Sequence, residues 1–595
     1  MNIPLNSTHV LPWQDDAITG STEPGSVARG AKRNNALSTE ARVRLPDQTN
    51  GLLTTLPDAS LSQRLGPEFF LKHTILPWQC VGGMTIIGTI DPGNLADILP
   101  ELKAAYGQIV FKKLDRSVIE HHLTRLHSEP LSKKANIACP AEYSCRDWVG
   151  RGNHKRLAGF LFGLAVCAAL FPATTLSLIL LLILINLSAT TFLRLVALKT
   201  RVQTLMARPD EPPLISNDDP TLPVVSVLVP LFREEQILHR LIDRLSRLEY
   251  PKHKLEICLV LEVSDKITRA AVNKIGLPDW FRVVLVPTST VKTKPRAMNY
   301  ALNFCRGTII GIYDAEDAPD PLQIKHVTAH LAKADPSVAC VQGYLDYYNA
   351  RQNWLTRCFT IEYAGWFRVM LHGVDNLGLP VPLGGTSVFF RREALEALGG
   401  WDAFNVTEDA DLGYRLARMG YRCEFVPTTT LEEASSTPVM WIKQRSRWLK
   451  GYAMTWITHM QHPVRLWHDL GPRGFFSFQV ILLGTVSNFF LAPLVWSLWW
   501  VAFGGSLPYY DLIPAIIWKS TAAAFAFSEL VLVAVTVYAV SGKQHRHLIP
   551  FVPTLLLYWP LGTLAVYKAV YELIRAPFYW DKTKHGHKTK KATTP

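Results

Sequence analysis

The chain has 595 residues, a net charge of +13 and nine cysteines, and 48% of its residues are hydrophobic against 19% charged. That length allows several domains, and the apolar residues gather in long runs, which excludes a wholly soluble protein and points to membrane helices flanking soluble parts. The basic surplus lies beside those runs and in Lys582–Lys591, so it reads as membrane orientation rather than nucleic-acid binding, and cysteines without a CxxC pair read as reduced thiols.

Residues 1–60 are polar and broken by Pro, Gly and Ser, the composition of a disordered tail, with no signal peptide. From 61 to 126 the apolar clusters Phe69–Leu76, Met84–Ile90 and Leu95–Leu102 predict a small α+β domain, followed by a Lys-, Ser- and Pro-rich linker over 127–156. The run 157–198 carries Arg194 as its only charge and predicts two membrane helices turning near Pro172–Thr175. Its flanks Arg151, Lys155, Arg156, Lys199 and Arg201 place both ends in the cytosol.

Over 210–465, apolar runs at Val224–Val229, Leu255–Leu261, Val283–Val286 and Ile309–Tyr313 alternate with amphipathic stretches such as Ile237–Leu248 and Ala297–Phe304. This predicts a doubly wound α/β domain with a parallel sheet, whose ligands bind at the carboxyl ends of the strands. Membrane character returns over 475–575. Phe475–Tyr510 suits an interfacial helix plus a span, and Ile513–Val540 a further span. Leu548–Ile574 is interrupted by Pro550, Pro553 and Pro560, and three crossings would put the basic tail 576–595 outside, so this segment is expected to be re-entrant or broken.

Seven motifs follow one another in the soluble part. They are Pro230-Leu231-Phe232-Arg233-Glu234, Glu262-Val263-Ser264-Asp265, Lys292-Thr293-Lys294 continuing to Asn299, Asp314-Ala315-Glu316-Asp317, Gly384-Gly385-Thr386-Ser387, Thr407-Glu408-Asp409, and Gln444-Arg445-Ser446-Arg447-Trp448. Carboxylates at strand ends suit a hard divalent cation. Asp314 and Glu316, expected to point the same way on an extended turn, are the predicted ligands for Mg²⁺ or Mn²⁺, with Asp317 able to assist.

In this order the motifs resemble those of the family 2 processive glycosyltransferases, the group of cellulose, curdlan and hyaluronan synthases, with Gln444, Arg447 and Trp448 matching its QxxRW motif. The resemblance implies a GT-A domain inserted between membrane helices, a UDP-sugar donor, and an inverting transfer that extends a β-linked extracellular polysaccharide. It assigns Asp409 as catalytic base, and Glu234, Lys294, Asn299, Gln444 and Arg447 to the donor. Trp448 and Glu408 fall to the acceptor, and either Glu262 or Asp265 to the uridine, with Asp265 preferred. Asn186, Asn488, Trp496, Trp499 and Trp500 are candidates for a sugar channel through the membrane. A non-processive transferase acting on a lipid carrier, or a silent membrane scaffold, are the alternatives.

The stretch Phe69-Phe70-Leu71-Lys72-His73-Thr74-Ile75-Leu76-Pro77, with Ile87–Pro92, resembles the N-terminal domain of type II secretion ATPases. That likeness implies cyclic di-GMP or a regulatory or export protein as a partner.

Overall fold

The computed structural model describes residues 56–207, 216–503, 505 and 511–580; most of the expected polar tail at the start and of the basic tail at the end lies outside them. Strands β1 (Ile75–Val81), β2 (Met84–Thr89) and β3 (Gln108–Lys113) form a small sheet, β1 antiparallel to β2 and β2 parallel to β3. Helices Gly66–His73 and Arg116–Ile137 cover it, with Phe70, Ile87, Ile119 and Leu123 at 0% exposure between them. An α+β module is thus present.

The expected linker is instead folded. Helix Arg116–Ile137 continues through it with a kink at His127, burying Leu131 and Ala135 while its lysines face solvent. The polar composition marked one solvated helix face, not a flexible tether. Beyond it, Ser144 Oγ and the Cys145 N–H donate to Asp402 at 2.8 and 2.7 Å, and buried Trp148 donates from Nε1 to the Leu573 carbonyl at 3.3 Å.

The soluble domain is built on one eight-stranded sheet. Its strands are β4 (Val225–Leu231), β5 (Leu255–Glu262), β6 (Phe281–Val286), β7 (Ile309–Ile312), β8 (Ala318–Pro319), β9 (Val338–Tyr347), β10 (Val388–Arg391) and β11 (Arg422–Glu432). The order is β6-β5-β4-β7-β10-β9-β11-β8. The predicted strands β4 to β7 are parallel, whereas β10 runs antiparallel between β7 and β9, so the sheet is mixed rather than parallel throughout. Every residue of β5 is buried, Glu256 and Glu262 included, because the strand is covered on both faces.

Helix Asn153–Leu170 breaks at Phe171 into Pro172–Ala207, so the turn falls where expected. Among the described residues, Pro172–Met206 and Ala515–Ala539 are long and apolar enough to cross a membrane. The earlier helix opens with Asn-His-Lys-Arg and does not qualify. Two bent pairs could each add a span: Pro463–Phe490 with Ala492–Trp500, at 57°, and Arg546–Tyr558 with Pro560–Arg575, at 46°. Both ends of the second pair touch the soluble domain, His545 Nε2 lying 2.7 Å from Asp346 and Trp580 stacking on Arg447. Both flanks of this bent pair thus lie against the soluble domain.

Candidate active site

Neighbouring strands β5, β4 and β7 deliver acidic loops to one end of the sheet. After β7, residues Asp314–Asp317 close a tight turn, the Asp317 N–H donating to the Asp314 carbonyl at 3.2 Å. The turn is not extended as expected, but it still presents Asp314 and Glu316 to the cavity. Asp317 turns inward, where its Oδ2 accepts from the Asp314 N–H at 2.7 Å and from the Thr386 hydroxyl. Burial, then the charges of Asp314 and Glu316, hold its pKa well above the usual carboxylate range. Asp317 is thus a brace for the turn and not an assisting ligand.

The all-oxygen pair Asp314 and Glu316, both lining the cavity, offers the ligand type a hard divalent cation takes. Lys294 Nζ lies 2.5 Å from Asp314 Oδ1 and 3.0 Å from the Gly385 carbonyl. Burial lowers its pKa, but Asp314, Glu408 and Asp409 outweigh that and hold the ammonium above its ordinary value.

Helix Glu408–Arg418 starts with both acids in its first turn, where the helix dipole favours negative charge. Asp409 Oδ1 accepts from the Ala410 N–H at 2.8 Å. Burial raises the pKa of Asp409 and of Glu408, against the pull of Lys294 and Arg447, and the Asp409 charge raises Glu408 further. Gly385 leaves room for this carboxylate, since a Cβ there would sit 2.9 Å from Asp409 Oδ2.

Helix Pro438–His459 carries Gln444, Arg447 and Trp448 at spacings of three and four, so all three reach the cavity. Gln444 Oε1 accepts from Ser435 Oγ at 3.0 Å, and the Arg447 guanidinium lies 4.6 Å from the centre of the Trp580 ring. Trp448 packs between Phe359 and Tyr363, with the Arg445 guanidinium 4.6 Å from its centre. Arg445 is itself paired with Glu362 at 2.6 Å.

Of the residues predicted to hold the donor, Glu234 reaches the cavity beside β4, but Asp265 and Asn299 do not. Asp265 caps helix Lys266–Lys274, accepting from the Thr268 N–H at 3.1 Å, and from the Thr268 hydroxyl and the Arg233 N–H at 2.6 Å each. Thr268 Oγ1 in turn accepts the Glu234 N–H at 3.0 Å. These bonds fix Arg233 at φ 54°, a costly conformation for a side-chain-bearing residue. Asp265 therefore shapes the loop that presents Glu234, and Glu262 is the acid of this motif that faces the cavity. Asn299 is spent on structure, its Nδ2 donating to the carbonyls of Ala135 and Trp401 at 3.1 and 2.7 Å.

A cavity of about 520 Å³ joins this cluster to the long apolar helices, where Arg194, Asn488, Trp496, Ser528 and Glu529 line it. Of the predicted channel residues, Asn488 and Trp496 reach it. Asn186 instead ties helices together, donating to Asn488 Oδ1 at 2.7 Å and to the Gly484 carbonyl at 3.1 Å. Trp499 packs on Phe525, and Trp500 is exposed on the outer surface. Sequence reasoning missed Glu432 at the end of β11, Glu362, and Trp580, all of which line the cavity. It had Arg194 in view only as a lone charge in an apolar run, which was itself the available signal.

Residues 223–451 match the family described as "Glycosyltransferase like family 2". Over 39% of this chain, the probable glycosyltransferase YdaM of Bacillus subtilis is 32% identical, across 55% of its own length. The β-monoglucosyldiacylglycerol synthase of Trichormus variabilis is 29% identical over 39% of this chain and 49% of its own. The chain thus spans about half the length of these curated relatives. Among solved structures, the mannosyltransferase PcManGT from Pyrobaculum calidifontis, in complex with GDP-Man and Mn²⁺, is 21% identical. That alignment has a TM-score of 0.41 and covers 66% of this chain and 99% of that one. With its acidic strand ends and QxxRW helix, the 223–451 segment is similar to the glycosyltransferase domains of family 2.

Proposed function

We propose that the protein transfers a sugar from a UDP-sugar to a growing β-linked polysaccharide, working in the bacterial inner membrane with its catalytic domain in the cytosol. The observation that carries this reading is the one cavity that runs from Asp314, Asp409 and Trp448 to Arg194, Trp496 and Glu529 between apolar helices. The nucleotide lies against Glu234 and Glu262, and the diphosphate faces Lys294, Gln444 and Arg447. The acceptor sugar stacks on Trp448 with Glu408 beside it.

Asp409 takes the proton of the acceptor hydroxyl as that oxygen bonds to the anomeric carbon. The bond from that carbon to the diphosphate breaks with its electron pair leaving on the diphosphate, so a single displacement inverts the anomeric centre. Lys294 and Arg447 receive the departing charge. A divalent cation held by Asp314 and Glu316 would add neutralisation of the diphosphate.

The test is turnover of UDP-glucose and UDP-N-acetylglucosamine by membrane-reconstituted protein with Mg²⁺ or Mn²⁺. The expected result is UDP release with high-molecular-weight product, lowered about 10²- to 10⁴-fold by Asp409→Asn. A product of one sugar on a lipid would move the reading to a lipid-glycosylating transferase, which the apolar wall of Leu187, Phe489, Phe525 and Val535 favours. No turnover of any nucleotide-sugar would overturn both. Cyclic di-GMP in the same assay tests the regulatory role suggested by the N-terminal module.

A further inference from the structure

The N-terminal module meets the catalytic domain behind the donor end of the cavity, through the last turns of helix Arg116–Ile137. Arg296 is the centre of that contact and is 0% exposed. Its Nε donates to Asn136 Oδ1 at 3.0 Å, and its Nη2 to Ser132 Oγ at 2.7 Å and the Pro287 carbonyl at 2.5 Å. Its Nη1 donates to Glu262 Oε1 at 3.0 Å. Asn136 Nδ2 donates onward to Ser289 Oγ at 3.0 Å, in the loop that leads to Lys292 and Lys294.

A buried guanidinium needs its whole fork satisfied, or the lost hydration outweighs the ion pair. Two of the four acceptors here belong to the N-terminal helix, so that helix decides where the fork, and with it Glu262, is held. Glu262 is 7% exposed, lines the cavity, and its Oε2 makes no hydrogen bond. That oxygen is buried at the cavity wall, and once the group has lost its proton it has an acceptor position to offer a ligand N–H, such as the ring N–H of uracil or guanine.

We propose that the N-terminal module positions the donor site, with Ser132 and Asn136 acting through Arg296 to aim Glu262 at the N–H edge of the nucleotide base. This rests on the glycosyltransferase reading above. It gives the module a role inside the catalytic unit, whatever else binds to it.

The test uses full-length reconstituted protein carrying Ser132→Ala together with Asn136→Ala. The KM for the UDP-sugar and the Kd for UDP should both rise about fivefold, with kcat changed by less than about twofold. Arg296→Lys keeps the charge but cannot span both sides, and should reproduce the rise; Ser132→Thr, which keeps the hydroxyl, should not. In a Glu262→Gln background the double substitution should add nothing, because all act through one carboxylate. Unchanged KM and Kd, a full effect added to that of Glu262→Gln, or a fall in kcat alone would each overturn the positioning role. Parent protein that binds neither UDP nor GDP would overturn the glycosyltransferase reading as well, whereas a parent that binds while the variants match it sinks only this proposal.

Discussion

Asp409 works in a crowd of like charges, and its environment sets the pH at which it can act. Burial raises its pKa and the Lys294 ammonium limits the rise, so the acidic limb of kcat/KM should lie above the ordinary carboxylate range; a pH–rate profile checks this. Gly385→Ala would press a methyl against Asp409 Oδ2 and should cut kcat by roughly 10²-fold while UDP still binds. Burial pushes Glu262 up to about 7 despite its Arg296 partner, against an ordinary value of 4.5. The folded state then holds a proton the unfolded chain releases, so this residue's contribution is full below 4.5 and is lost as pH rises through 7. Glu262→Gln should flatten the thermal melting curve's dependence on pH across that window. At this scale Asp314, Asp409, Arg447 and Trp448 were legible because their motifs fix both residue type and spacing. The choice between Glu262 and Asp265 was not, since it turns on which way a side chain leaves the end of β5, and both acids follow the same apolar run.

The helix Pro438–His459 shows how an element joins separate parts of the site. One face presents Gln444, Arg447 and Trp448 to the cavity, and fully buried Trp441 anchors it by donating from Nε1 to the Tyr558 hydroxyl at 2.7 Å. Arg447→Lys would lose both the planar fork and the stacking on Trp580, and should raise the KM for the donor about tenfold with a smaller change in kcat. Strands β4, β5 and β7 were readable from short apolar runs because central parallel strands are covered on both faces, and edge strand β6 was readable from Val283–Val286 although it is only partly buried. The antiparallel β10 was not, since its place between β7 and β9 is a long-range pairing. Helix Arg116–Ile137 was misread as a linker past 126 because its buried stripe is thin and interrupted by Pro130.

For the whole molecule, the cavity runs from the acidic cluster to the long apolar helices, so on the proposed function blocking its far end should stop turnover without touching Asp314, Glu316 or Asp409. Ser528→Phe would fill the space beside Arg194, whose Nη1 donates to Ser528 Oγ at 3.2 Å. Product formation should then fall by an order of magnitude or more while the Kd for UDP stays within about twofold. The apolar runs announced these helices, but their arrangement around Arg194 and Glu529 depends on packing between segments far apart in the chain. The returning last helix carries a consequence for how the enzyme is made. Trp580 and Phe578 reach back to Arg447 and Phe404, so the ribosome must release almost the whole chain before the donor site has its final wall. A nascent chain stopped anywhere before 575 holds Asp314, Glu316 and Asp409 yet lacks Trp580 from the cavity wall, so on the proposed function it should release no UDP from a UDP-sugar, which a truncation ending at 574 checks.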